Sequence, residues 1–135
     1  MRRKAALSLL LLAFACAPRG VVPGTPAAAG HDYVVFFKEW SAKHDESGQA
    51  AVAQAADNAR LHPGVPILVT GYAANDTGTP TANKLLARTR AQVVVDELQR
   101  IGTDASRVRG IAIGAIPFQL DPVEARRVTI SVGAS

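Results

Sequence analysis

The chain holds a single cysteine, Cys16, so neither an internal disulfide framework nor a thiolate cage for zinc can be built from it. Aromatic residues are scarce too. Four Phe, two Tyr and one Trp are too few to stack nucleic-acid bases along a surface. No apolar run reaches the roughly 20 residues that a stop-transfer membrane helix needs. Acidic residues are missing from the first fifteen positions, which hold Arg2, Arg3 and Lys4. Beyond them twelve basic residues face eleven acidic ones, so the formal +4 belongs mostly to the N-terminus and argues against nucleic acid as a partner. Eleven Gly and eight Pro are too dispersed for a collagenous or low-complexity chain. What is present, 135 residues of which 48% are hydrophobic and 19% charged, suits one compact domain.

Arg2, Arg3 and Lys4 lead into the apolar stretch from Ala5 to Ala15, the charged start, short hydrophobic run and small-residue exit of a secretory signal. Residues 1–15 therefore read as a signal peptide. Cys16, directly after Ala13-Phe14-Ala15, resembles the bacterial lipobox, whose cysteine is lipid-modified and becomes the mature N-terminus. Ala13 and Ala15 equally suit an ordinary signal peptidase, which would release the chain into the periplasm. Residues 16–30 carry three prolines and three glycines without periodicity, a flexible tether between a lipid-attachment Cys16 and the folded part. Anchored in this way, the protein would sit on the periplasmic face of the outer membrane.

From residue 31 to 135 strands and helices alternate. Asp32 to Phe37 is a β-branched and aromatic run. Asp45 or Ser47 can cap a helix from Gln49 to Leu61, whose face of Val52, Ala55, Ala56 and Ala59 is shallow and close-packing. Val65 to Gly71 suits a buried central strand, and Tyr72 to Ala82 reads as a loop. A second helix is predicted from Ala82 to Ile101, with Leu86, Val93, Val94, Leu98 and Ile101 inward and Gly102 as its stop. Strands at Val108–Ile113 and Arg127–Val132 complete a β-α-β-α-β-β order. That order implies an α/β (α+β) two-layer sandwich with both helices on one face of a small mixed sheet.

No catalytic constellation stands out, so the chain is not read as an enzyme. His31, His44 and His62 fall at spacings that share no helix face and read as surface residues, with no metal site and no cofactor. The serines lack a nucleophile elbow, and Gly110 to Gly114 lies in a strand pattern without a phosphate-loop lysine.

One pattern carries more. Val69-Thr70-Gly71-Tyr72-Ala73 leads to Asn75-Asp76-Thr77-Gly78, then to Asn83 through Arg90-Ala91, and later to Ala125-Arg126-Arg127-Val128. From about Asp32 to Val132 this resembles the OmpA-like peptidoglycan-binding domain. The resemblance implies a clasp for the diaminopimelate side chain of the wall peptide, whose ammonium and carboxylate share one carbon. Arg90 matches the arginine that meets the carboxylate, a bidentate task suited to a guanidinium. Asn83 matches an asparagine that touches ligand or serves as a helix cap, and Arg126 matches the first arginine of the last motif. Asn75 stands where the family has the ammonium-binding aspartate, after one inserted residue. Asp76 beside it either presents the missing carboxylate or only caps the turn. Tyr72, Ala73, Ala87 and Ala125 replace hydrogen-bonding residues of the family pattern. The implied role is a non-catalytic envelope protein that binds peptidoglycan and ties the outer membrane to the wall through a lipid anchor. The alternative is the same fold with a drifted site, serving as an interaction module for envelope proteins.

Overall fold

The computed structural model describes residues 30–75 and 78–133. The signal segment, Cys16 with most of its tether, and Asp76 lie outside the described residues. Four strands and two helices follow one another as β1 (His31–Phe36), α1 (Glu46–Leu61), β2 (Ile67–Ala74), α2 (Pro80–Arg100), β3 (Val108–Ile116) and β4 (Arg127–Val132). The sheet order is β1-β4-β2-β3, with β4 antiparallel to both neighbours and β3 parallel to β2. The expected mixed sheet with two helices is the architecture found.

Alternation builds the core. Val128, Ile130 and Val132 of β4 point inward while Arg127, Thr129 and Ser131 do not, and the buried row continues through Val35 on β1 and Ile67 and Val69 on β2. Against it lie Val52, Ala55, Ala56 and Ala59 of α1, the face that the sequence predicts, and Ala91, Val94, Val95 and Leu98 of α2. α1 starts at Asp45, whose carboxylate accepts the Gly48 amide, and α2 starts at Thr79, whose hydroxyl accepts the Ala82 amide. Gly102, at φ +106°, ends α2 as expected.

Two expectations change. β2 runs on through Tyr72, Ala73 and Ala74, residues that small side chains had suggested were loop, because β3 also extends to Ile116 and supplies partners for them. The inward stripe of α2 is Asn83, Ala87, Arg90, Ala91, Val94, Val95 and Leu98, so Leu86 and Val93 are only half-buried. Gly71 explains the rotation: a Cβ there would stand 2.1 Å from the Ala87 carbonyl oxygen, so strand and helix backbones touch and only small side chains fit between them.

Strand direction decides where loops gather. β1, β2 and β3 all run the same way and β4 returns, so the segments 37–45, 78–79 and 117–126, with Asn75, collect at one end of the sheet, beyond the carboxyl ends of three strands. Open α/β sheets place ligands there.

Candidate ligand site

Arg90 organises that end. It rises from the middle of α2, is 1% exposed, and donates from Nε to the Ser41 carbonyl (2.8 Å), from Nη1 to the Tyr72 carbonyl (3.2 Å) and from Nη2 to the Lys38 carbonyl (3.0 Å). Its guanidinium also lies 5.3 Å from the centre of the Phe37 ring. A guanidinium has five N–H groups, so one on each terminal nitrogen has no bond to any described residue. Burial lowers the pKa of Arg90 from the ordinary arginine value to about 10, and the nearby charge of Arg126 adds to the effect. It stays a cation at any physiological pH.

Arg126 precedes β4, and its Nη2 stands 3.8 Å from the Glu39 carboxylate. Its carbonyl accepts the Phe37 amide at 2.8 Å, which ties the first loop to the last. Arg127 turns elsewhere, over the Tyr72 ring at 4.7 Å. The two arginines of one motif thus have separate surroundings, as strand alternation predicts. A cleft of about 490 Å³ opens beside the 37–45 loop, lined among others by Phe36, Lys38, Glu39, Lys43, Val123 and Arg126.

Asn83 is 3% exposed, and its side-chain oxygen has no hydrogen-bond partner among the described residues. It does not cap α2, because Thr79 does. A buried carbonyl oxygen without a donor costs free energy, so this atom calls for one. Asn75 is exposed in the turn after β2, at the mouth of the same region.

Three participants are invisible to motif reading. Phe37 faces the Arg90 guanidinium, Glu39 faces Arg126, and Trp40 lays its ring edge on Gly78, where a Cβ would stand 2.3 Å from the indole. All three come from the 37–45 loop. His44, read as a surface residue, is buried in the same loop: its side chain is 6% exposed and Nε2 bonds Glu97 of α2 at 2.7 Å. Tertiary contact with a residue 53 positions away decided that. No cluster of His, Cys, Asp and Glu that could hold a metal occurs among the described residues.

Residues 36–126 match the OmpA family. The chain belongs to the OmpA family. This OmpA-family chain is also 38% identical over 77 residues to outer membrane protein 40 of Porphyromonas gingivalis, a match covering 57% of this chain and 20% of that one. The chain therefore spans about a fifth of that relative's length. Among solved structures, the peptidoglycan-associated lipoprotein of Burkholderia pseudomallei superposes with a TM-score of 0.68 at 24% identity, covering 74% of this chain and 89% of that one. The cell wall anchor of the type VI secretion system from Pseudomonas aeruginosa gives 0.60 at 27% identity, covering 77% and 82%. The OmpA-family fold places Arg90, Asn83, Asn75 and Arg126 at one end of the sheet, with Arg90 and Asn83 buried and Asn75 exposed.

Proposed function

We propose that this OmpA-family chain is a non-catalytic envelope protein that binds the diaminopimelate-containing stem peptide of peptidoglycan and links the outer membrane to the wall. The observation that carries the reading is the buried cation. Arg90 is 1% exposed, no carboxylate of the described residues reaches it, and one N–H on each terminal nitrogen has no described partner. A desolvated guanidinium held at the loop end of an open sheet favours an anion, and two N–H groups on its terminal nitrogens match a carboxylate. Arg126 adds positive charge beside it. Asn75, Asp76 and Asn83 are the acceptors proposed for the ammonium. A peptidoglycan-associated lipoprotein and a cell wall anchor among the structural neighbours support the ligand class. Cys16 is the proposed lipid-attachment residue.

A second reading keeps the fold and drops the sugar-peptide ligand, leaving a module that docks envelope proteins. It is favoured by the three backbone carbonyls that already hold Arg90. Cosedimentation with purified sacculi decides between the two. The unaltered protein should pellet with sacculi and be displaced by a diaminopimelate muropeptide; a folded protein that stays in the supernatant leaves the docking reading.

A further inference from the structure

Lys38 to Ser41 form a tight turn closed by the Ser41 amide on the Lys38 carbonyl at 3.2 Å. Trp40 occupies its third position at φ +49°, the one non-glycine residue with positive φ among the described residues. A type II turn wants glycine or asparagine there, because a side chain in the left-handed region is strained. The strain is held in place by Arg90, which bonds the carbonyls of Lys38 and Ser41 on both sides of it. Strained residues of this kind gather where binding needs a fixed side chain.

The indole is presented to the second loop. Its Cη2 and Cζ2 lie 2.3 and 3.1 Å from the place a Cβ on Gly78 would take, and the unpartnered Oδ1 of Asn83 lies 3.4 Å from that same point. Trp40 remains 51% exposed. Of the aromatic rings at this end of the sheet, two already face an internal cation: Phe37 faces Arg90 and Tyr72 faces Arg127. No cation of the described residues lies over Trp40, whose indole is a stronger cation acceptor than the rings of Phe and Tyr.

We propose that Trp40 is a specificity-determining residue for the ligand's ammonium group, its indole face attracting the charge beside the neutral carbonyl of Asn75, with Asn83 Oδ1 taking an N–H. The inference deepens the peptidoglycan reading and rests on it. Arg90 then serves both halves of a zwitterionic ligand: its free N–H groups meet the carboxylate, and its carbonyl bonds fix the indole that receives the ammonium. Any primary ammonium on a short side chain next to a carboxylate fits this pairing. An acylated amine does not.

Trp40 is the chain's one tryptophan, so indole emission reports on this residue alone. Two muropeptides serve as probes, one with the free diaminopimelate amine and one with that amine acetylated. The free-amine probe should shift the emission saturably. Trp40→Gly suits the turn's backbone and should fold with an unchanged or higher melting temperature. It should bind the free-amine probe about three- to tenfold more weakly while its affinity for the acetylated probe stays the same, with Trp40→Phe falling between. Equal losses for both probes would reduce Trp40 to a scaffold residue and overturn the proposal, as would undiminished binding by Trp40→Gly. Failure of the unaltered protein to bind sacculi would overturn the peptidoglycan reading, and this proposal with it.

Discussion

Two arginines do similar work at opposite ends of the sheet. Arg90 gathers the carbonyls of Lys38, Ser41 and Tyr72, and Arg107 gathers those of Ala59, His62 and Val65 at distances of 3.0, 2.9 and 3.0 Å. Lysine carries no planar fork and cannot reproduce either arrangement. Arg90→Lys and Arg107→Lys should each lose about 2 kcal/mol in urea unfolding, since carbonyls satisfied by charged donors are left short. Only Arg90→Lys should also weaken sacculus binding, by about tenfold; equal binding by both variants would remove Arg90 from the ligand. The lowered pKa of Arg90 sets a second expectation. The folded protein releases this proton before the unfolded chain does, so its contribution to stability is constant below a pH of about 10 and becomes more favourable as pH climbs towards the ordinary arginine range. Binding through Arg90 should accordingly be flat from about pH 5 to 9, and titrations across that range check it. That Arg90 and Asn83 share the buried face of α2 follows from their seven-residue spacing on a helix. The roles of Trp40 and Glu39 were not legible, since they depend on a left-handed turn and on a partner 87 positions later for Glu39, neither of which has a local signature.

Among the elements, helix starts carry their own acid sensitivity. Asp45 holds the first turn of α1, and its hydrogen bonds from Ser47 and from the Gly48 amide lower its pKa below the ordinary 3.8. The stabilisation is present above 3.8 and is lost as pH falls through the lowered value, so hydrogen exchange at the Gly48 amide should quicken in strong acid, and Asp45→Ala should bring that fast exchange to neutral pH. The contact of β2 with α2 is less forgiving. Gly71→Ala drives a methyl against the Ala87 carbonyl oxygen, backbone that cannot step aside, and should cost about 3 kcal/mol in urea unfolding. Element order and type were readable from periodicity, and β4 was placed to the residue. The end of β2 was misread because Tyr72-Ala73-Ala74 earns its strand from β3, a neighbour in space. The face of α2 was misread because the apolar signal favoured large residues, whereas the Gly71 contact selects alanine and tolerates an arginine that finds three carbonyls.

For the whole molecule, no helix of the described residues is long and apolar enough to cross a membrane. Under the proposed function, attachment falls to Cys16. Cys16→Ser should move the protein from the membrane fraction to the soluble periplasmic fraction while leaving sacculus binding by the purified protein unchanged, which fractionation and cosedimentation test together. A variant that remains with membranes would place the attachment elsewhere.

The sheet order has a consequence for how such a chain is made. The last strand in sequence, Arg127–Val132, lies inside the sheet and is the one partner that β1 has there. Until that segment is available, β1 has nowhere to pair and β2 lacks one side, so a nascent chain ending before β4 holds no complete sheet. Chains are synthesised from the N-terminus at about 5–20 residues per second, and closure of the sheet waits for β4 to emerge. The topology thereby ties completion of the sheet to the arrival of β4, and residues 31–126 alone leave β1 without its partner.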